Sequence, residues 1–405
     1  MKNKSTQKAA AGGLSLGLVP LFVLAHCAHH ILTALPTPFL PMIRNDFNLN
    51  YTQSGLLLSA FSISYGLGQL PAGWLADRIG QIILITLGIC GVAVAGLFLG
   101  FSQTYYMAIL FLVLMGLMGG GYHPAAPPLI AESVKPEKLG RSLGLHIIGG
   151  SSSYFLAPLI GVAIAAALGW RGAFIGLAIP TALFGIAFYF LLTRRIKIRK
   201  DQGGSSEVQK KPERFPGQKR QLTVMILLST CTAATMISTI SFIPLFLVDH
   251  FGINEKTAAA LLSIIYSGGL WAAPIGGVLS DRLGRIPVLL TVCFLAGPII
   301  FLLNVFPYGI GTWLLLLALG ICLAVRMPVM ESYIVDHTNP ATRSTVLGIY
   351  YFTAMESGGV LTPVMGYLID KIGFFMSFSI AGSALLLVTL VCSFGLRERG
   401  KGVQA

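Results

Sequence analysis

Charged side chains are scarce in this sequence. Only 11% of its 405 residues are Asp, Glu, Lys or Arg, whereas a soluble globular domain carries about 25%. Apolar residues make up 55% of the chain, and the mean hydropathy is +0.78. So few charges between such long apolar runs exclude a soluble domain and indicate a membrane protein.

Acidic side chains are the scarcer of the two signs, with 15 Asp and Glu against 28 Lys and Arg and a formal net charge of +13. With the N-terminus in the cytoplasm, 23 of the 28 basic residues lie on the cytoplasmic side. Because cytoplasmic loops of membrane proteins are enriched in Lys and Arg, this distribution predicts a multi-pass protein of the bacterial inner membrane with both termini cytoplasmic. It also accounts for the positive charge without nucleic-acid binding.

Signatures of catalysis and of metal binding are missing as well. The six cysteines are far apart in apolar runs, without CxxC or Cys/His spacing, and are expected to be buried apolar side chains. No GxxxxGK[ST], HExxH or GxSxG motif occurs. We therefore expect no enzyme activity, no cofactor and no metal, and an ion or substrate gradient as the energy source. A membrane-embedded enzyme and a transporter-like receptor stay open as distant alternatives.

Long apolar segments are what the chain has in abundance. A spanning helix needs about 20 apolar residues, and twelve such segments are predicted. They lie near 14–43, 53–76, 82–101, 106–130, 142–166, 171–193, 222–248, 258–279, 286–306, 309–334, 344–369 and 373–396. The only long polar connection, residues 194–221, is expected to be a cytoplasmic linker.

The chain repeats itself at an offset of 204 residues. The stretch GWLADRIGQ at 73–81 recurs as GVLSDRLGR at 277–285, and the same offset carries Glu132 onto Asp336. A register held over about a hundred residues indicates an internal repeat. We therefore predict an N-terminal six-helix half at 1–193 and a C-terminal half at 222–405, as parallel repeats of a secondary transporter.

Two six-helix halves with this loop stretch resemble the major facilitator superfamily, whose loop motif is Gly-x-x-x-Asp-Arg-x-Gly-Arg. The first copy is Gly73, Asp77, Arg78 and Gly80 with Gln81 in the last place, and the second is Gly277, Asp281, Arg282, Gly284 and Arg285. The resemblance covers nearly the whole chain. It implies an all-α membrane protein of twelve transmembrane helices in two pseudo-symmetric halves, which moves a solute by alternating access.

Within the superfamily, the sequence departs from the proton-antiporter pattern. The helix-4 arginine of many antiporters is absent, and the helix-5 motif is reduced to a few small residues and a proline, namely Gly149, Gly150, Ala157, Pro158 and Gly161. The stretches GGGYHPAAPPLIAE at 119–132 and GRSLGLHIIGG at 140–150 are similar to bacterial fosmidomycin-resistance exporters.

The doubled loop motif is expected to act as a gate. The resemblance implies that Asp77 faces the start of helix 11, where a helix dipole stabilises a carboxylate. Arg78 could pair with Glu132, and Arg282 with Asp336, as contacts that break when the inside opens. The alternative is a set of solvated charges that only fix topology.

Three charged residues lie inside predicted spans of the C-terminal half, where charge is costly and marks function by default. Arg326 could bind an anionic group of the substrate. Glu356, near the middle of its span, could carry a coupled proton, because a buried carboxyl can stay protonated at neutral pH. Glu331 is nearer the cytoplasmic end. The alternative is a structural ion pair between Arg326 and Glu356.

The N-terminal half carries imidazoles instead, in the stretch HCAHH at 26–30. His26 and His30 share one helical face, with His29 alongside, and Tyr122 and His123 follow on helix 4, where Tyr122 holds the repeat position of Arg326. Three roles stay open: binding of substrate or relay of protons, helix packing, and binding of a metal or metal chelate. We expect His26 and His30 to face the central cavity.

The sequence as a whole predicts a secondary transporter of a small organic anion or polar metabolite. We expect coupling to protons, and a functional monomer whose partners are the substrate, protons and the lipid bilayer. The alternative is an exporter of drugs or toxic metabolites from the same superfamily.

Overall fold

The structure is a computed structural model that describes residues 18–134, 139–200, 218–338 and 340–396. A few side chains within its helices, those of Gly73 and Asp77 among them, also lie outside the description. The described residues form twelve helices and no strand. The helices are α1 Val19–Thr33, α2 Leu40–Phe47, α3 Tyr51–Ile79, α4 Gln81–Gly100, α5 Tyr105–Gly119, α6 Tyr122–Ser133, α7 Leu139–Lys200, α8 Gln218–Phe251, α9 Glu255–Leu283, α10 Arg285–Leu303, α11 Ile310–His337 and α12 Pro340–Gly395.

Eight stretches of the described chain are long and apolar enough to cross a membrane. Two of them, Arg141–Arg194 and Val346–Gly395, contain 54 and 50 residues. At 1.5 Å per residue they are about 80 and 75 Å long, enough for two crossings each. They are divided at Gly169 and Gly373, whose φ values of 68° and 74° are non-helical. With α1 and α3, the helices reproduce the twelve predicted segments and confirm the all-α fold.

The backbone repeats itself at the same offset as the sequence. Left-handed φ values occur at Asn48 and Gly252 (52° and 68°), at Gly80 and Gly284 (94° each), and at Gly169 and Gly373. Each pair is 204 residues apart. Glycine adopts such φ values without steric strain, and asparagine tolerates them better than most residues. These positions end or redirect helices, so the two repeats turn at equivalent places.

The chain divides into two compact units. The first contains residues Met1–Leu49, Leu57–Ser206 and Gly252–Ser263, and the second contains Asn50–Leu56, Glu207–Phe251 and Ile264–Ala405. The predicted linker at 194–221 falls mostly on residues 201–217, outside the described part. Its first residues belong to α7, which ends at Lys200, and its last residues begin α8 at Gln218.

Side chains cap the start of α3 within the second unit. The backbone N–H of Gln53 donates to Asn50 Oδ1 at 2.7 Å, and the N–H of Asn50 donates to Gln53 Oε1 at 3.0 Å, a reciprocal capping box. Asp370 accepts the backbone N–H groups of Tyr51 at 3.0 Å and of Thr52 at 2.8 Å. The free donors at this helix end are therefore satisfied, in part by a carboxylate that the helix dipole favours.

Glycines let α1 and α7 approach closely within the first unit. A Cβ atom on Gly149 would lie 2.3 Å from the carbonyl oxygen of Val23, and one on Gly150 would lie 2.7 Å from Nε2 of His26. Small residues at contact points are the usual means of bringing membrane helices together. The reduced helix-5 motif of the sequence thus has a packing role in this chain.

Gly149→Ala should destabilise the protein, because the new methyl group meets backbone that cannot move aside. Overpacking of this kind costs about 1–3 kcal/mol. Gly176→Ala is the matched control on the same helix, since its Cβ would meet only Ile164 at 3.8 Å. Thermal unfolding in detergent measures both, and equal melting temperatures for the two variants would contradict the close approach.

Candidate functional site

Five histidines gather inside the first unit. α1 supplies His26, His29 and His30, which are 7%, 0% and 6% exposed, while α6 supplies His123 and α7 supplies His146. The i, i+4 spacing of His26 and His30 puts both rings on the side of α1 that faces these helices. The sequence predicted the first four together, and the structure adds His146.

Hydrogen bonds hold three of these rings. His26 Nδ1 donates to the carbonyl oxygen of His146 at 2.7 Å. His29 Nε2 lies 2.9 Å from the hydroxyl of Tyr65, and His30 Nδ1 lies 3.1 Å from Oγ1 of Thr33. Each contact satisfies one ring nitrogen in a low-dielectric interior, while Nε2 of His26 and Nδ1 of His29 are buried without a hydrogen-bond partner.

Ring stacking orders the same cluster. His26 stacks on His146 with centroids 4.2 Å apart, and His29 stacks on Tyr122 with centroids 4.3 Å apart. His26 and Tyr122 are also nearly parallel, at 5.4 Å. Tyr122 is fully buried. The four rings form a stack that fixes the direction of each imidazole.

His26 and His30 are buried, and other rings and α7 contact both of them. Helix packing, the second of the three roles left open by the sequence, describes these contacts. That the two rings face the central cavity stays a prediction.

Arg326 lies in the second unit, on α11, and is 4% exposed. Its Nη1 donates to Ser229 Oγ at 2.7 Å, to the Ser229 carbonyl at 3.2 Å and to the Tyr350 hydroxyl at 3.3 Å. Its Nε is buried without a hydrogen-bond partner. Its hydrogen-bond partners in the described part of the chain are all neutral, so none of them carries a charge that balances the guanidinium.

Two acidic residues accompany Arg326 in the second unit. Glu331 accepts a hydrogen bond from the Tyr351 hydroxyl at 2.9 Å. Its charge also interacts electrostatically with that of Arg326. Glu356 on α12 is 8% exposed. The hydrogen bonds of Arg326 go to α8 and to Tyr350, so the predicted ion pair with Glu356 is not among its contacts. Ser229, Tyr350 and Tyr351 were missed because hydroxyl side chains in apolar runs give no distinctive signal.

The second copy of the loop motif forms an ion-pair bridge. Arg285 donates to Asp281, to Ser280 Oγ at 2.7 Å and, through Nε, to Asp336 Oδ2 at 3.4 Å. The predicted partner of Asp336 was Arg282, whose side chain is exposed instead. That assignment was wrong by three residues, because Arg285 follows the turn at Gly284 and begins α10 beside both carboxylates.

The first copy is arranged differently. The guanidinium of Arg78 lies 4.0 Å from the ring centre of Trp74, a cation–π contact, and not against Glu132, which is exposed. Gln81 stands at the repeat position of Arg285, so this copy lacks the cation that forms the bridge in the second. The side chain of Asp77, for which a contact with the start of helix 11 was expected, lies outside the described part of the structure.

Membrane-spanning helices in two sequence repeats, with buried ionisable groups in each repeat, define a membrane transport protein. The family profile of the Major Facilitator Superfamily matches residues 22–254 and 225–405. The chain therefore belongs to the major facilitator superfamily, and it is a multi-pass membrane transporter. Transporters of this superfamily are generally not enzymes.

Curated relatives cover most of the chain. The chain is 28% identical over 348 residues to the multidrug resistance protein MdtG of Proteus mirabilis. The alignment covers 82% of this chain and 84% of the relative. It is 25% identical over 384 residues to the probable sulfoacetate transporter SauU of Cupriavidus necator, with 87% of each chain covered.

Solved structures show the same fold. A bacterial homologue of the human lysosomal transporter Spinster, in an inward-facing and unoccupied conformation, matches with a TM-score of 0.73 and 17% identity over 98% of this chain and 97% of that one. A POT family transporter in complex with 5-aminolevulinic acid matches with a TM-score of 0.73 and 12% identity, over 93% and 95% of the two chains.

Arg285→Gln should remove the bridge between Asp281 and Asp336. A partly exposed ion pair contributes about 0.2–1 kcal/mol, so we expect the unfolding temperature in detergent to fall by a few degrees at most. Arg282→Gln is the matched control because its side chain is exposed, and it should leave the temperature unchanged. A larger effect of Arg282→Gln than of Arg285→Gln would show that the bridge is misassigned.

Proposed function

We propose that the chain transports a small organic anion or polar metabolite by alternating access, driven by protons. The observation that carries the proposal is Arg326, a buried guanidinium with neutral hydrogen-bond partners only and an unpartnered Nε. Burial of an uncompensated charge is costly. A carboxylate, sulfonate or phosphate on the substrate would offset that cost, and guanidinium binds such groups in a two-pronged geometry.

The protein named as a probable sulfoacetate transporter supports this substrate class, since sulfoacetate is a small dianion. The relatives named multidrug resistance proteins support the second candidate, an exporter of drugs or toxic metabolites. The helix-4 arginine of many antiporters is absent from this chain, because the stretch LVLMGLMGGG offers no cation, and this absence favours the first candidate.

Glu356 is the proposed proton carrier. Its carboxyl is 8% exposed within an apolar helix, and a carboxyl in such a place can be neutral in one conformation and ionised in another. Glu331, which accepts a hydrogen bond from the Tyr351 hydroxyl, is the carboxyl whose charge interacts with that of Arg326. An ionised carboxylate and the anionic group of the substrate would compete for the guanidinium of Arg326. This competition would couple release of the proton to movement of the substrate.

We further propose that the two loop motifs act as cytoplasmic latches. The bridge from Arg285 to Asp281 and Asp336 supports this role in the second copy. In the first copy the proposed group is Gly73, Asp77, Arg78, Gly80 and Glu132. Contacts of this strength, about 0.2–1 kcal/mol each, bias a conformational equilibrium without locking it.

Transport in proteoliposomes tests the two central roles. A panel of small carboxylates, phosphates and sulfonates, sulfoacetate included, is screened for accumulation under an imposed pH gradient and for counterflow exchange without one. Glu356→Gln should lose gradient-driven accumulation and keep exchange. Arg326→Gln should lose both, because a hydrogen bond to a charged group contributes about 1.5–3 kcal/mol, equivalent to roughly 10- to 150-fold in affinity.

Arg220→Gln is the control, since Arg220 is exposed on α8. Unchanged gradient-driven accumulation by Glu356→Gln would remove that residue from coupling. Efflux of lipophilic cations together with no exchange of any anion would favour the drug-exporter candidate.

We also propose that both termini and the segment at 194–221 are cytoplasmic, as the distribution of Lys and Arg indicates. Ser205→Cys should react with a membrane-impermeant maleimide only in permeabilised cells. The six native cysteines lie in apolar helices, and the unsubstituted chain provides the background. Labelling of Ser205→Cys in intact cells would reverse the orientation.

A further inference from the structure

We propose that His26, His30 and His123 bind a divalent transition-metal ion of the zinc, cobalt or nickel class. One ring nitrogen from each of the three residues lies within 4.8 Å of the other two. The sequence predicted no metal because no nearby set of carboxylate or cysteine ligands accompanies the histidines. Three imidazoles with an open fourth place are nevertheless a complete ligand set for zinc, and the fold brings the third one from α6.

The hydrogen-bond network sets the tautomer of His26. A carbonyl oxygen can only accept a hydrogen bond, so the 2.7 Å contact to the His146 carbonyl places the proton of neutral His26 on Nδ1. Nε2 then carries a lone pair, and it is buried without any partner. Metal-bound histidines almost always donate their other ring N–H to a carbonyl or carboxylate. His26 therefore already has the arrangement of a ligand whose metal-binding nitrogen is free.

The tautomer of His30 follows in the same way. The Thr33 hydroxyl donates to the backbone carbonyl of His30 at 3.3 Å, so its oxygen accepts from His30 Nδ1 at 3.1 Å. The proton of neutral His30 is therefore on Nδ1, and the lone pair of Nε2 points towards His123. Two of the three nitrogens are thus deprotonated and held by second-sphere hydrogen bonds.

The spacing of the remaining pair matches a shared ion. Nε2 of His30 and Nε2 of His123 are 3.2 Å apart. Two nitrogens at 2.0–2.1 Å from one tetrahedral zinc ion lie about 3.3 Å from each other. His123 can present its Nε2 lone pair by moving its proton to Nδ1. The 4.8 Å limit of the group exceeds that spacing by about 1.5 Å, so the rings would move together by up to that distance to bind the ion.

Ligand chemistry defines the class of ion. Imidazole suits zinc, cobalt, nickel and copper, whereas magnesium and calcium require oxygen ligands. The three ligands are neutral, so the dication would keep its charge in a low-dielectric interior. Water, hydroxide or an anionic group is the fitting fourth ligand, because an anion would compensate that charge.

Metal binding by the purified full-length chain tests the site. The protein carries no histidine tag, is treated with chelator and desalted in detergent, and is titrated with Co²⁺ alone and then with Zn²⁺ in competition. We expect one Co²⁺ per chain with the intense visible absorption of tetrahedral coordination, displaced by Zn²⁺ and unaffected by excess Mg²⁺. His26→Gln and His123→Gln should remove the absorption and weaken Zn²⁺ binding by about a hundredfold or more, since loss of even a second-sphere partner costs about 10–100-fold.

His250→Gln is the control, because His250 belongs to the second unit, where it is exposed and stacks on Phe246. Thr33→Val keeps all three ligands and removes only the acceptor of His30 Nδ1, so it should bind one ion with about 10–100-fold lower affinity. This variant keeps the test valid if the glutamine variants fail to fold. Co²⁺ binding that is octahedral, or Zn²⁺ affinity that is equal in the unsubstituted chain, His26→Gln, His123→Gln and Thr33→Val, would overturn the proposal.

Discussion

The cost of leaving a polar group unsatisfied in a hydrocarbon environment governs this molecule. Water is absent from the bilayer core, so backbone groups must pair within helices, and each polar side chain must find a partner inside the protein. Hydroxyl side chains along the helices meet this demand by donating to the carbonyl four residues earlier, as Thr232, Thr239 and Thr362 do. Polar groups that cannot bond to a carbonyl of their own helix therefore mark positions where other helices must supply a partner. Among the described side chains these include the imidazoles of α1 and the guanidinium of Arg326.

The same constraint explains why the two clusters are built differently. Neutral imidazoles can be buried once each ring has a donor or acceptor partner, and stacking between rings supplies much of their environment. A guanidinium cannot shed its charge, because its pKa is too high for deprotonation in a protein. Ser229 and Tyr350 satisfy some of its N–H groups without balancing that charge. The first unit therefore holds imidazoles that can be buried without charge, and the second holds a guanidinium, which we propose binds an anionic group of the substrate.

Fold and site differ in how far the sequence predicts them. The membrane spans follow from hydropathy alone, and the offset of 204 residues predicted the repeat that the backbone shows at Gly80 and Gly284. Contacts between elements were harder. Hydropathy does not show which of two basic residues on either side of the turn at Gly284 reaches a given acid, so Arg282 was chosen where Arg285 is the partner of Asp336. Likewise, His146 gave no sign of joining the cluster, because its position against α1 depends on the close approach that Gly149 and Gly150 permit.

Divergence within the repeat accounts for the division of chemistry between the two units. Tyr122 and Arg326 are equivalent in the repeat, and both are buried. In the first unit the equivalent place holds a neutral ring that stacks between His26 and His29 and fixes their directions. In the second it holds a permanent cation among hydroxyl groups. Both units thus keep the same order of helices and the same left-handed turns, because each turn ends or redirects a helix at an equivalent position. The interior positions are free to diverge wherever the local partners can satisfy the new side chain, and the chemistry of each unit follows from which partners are present.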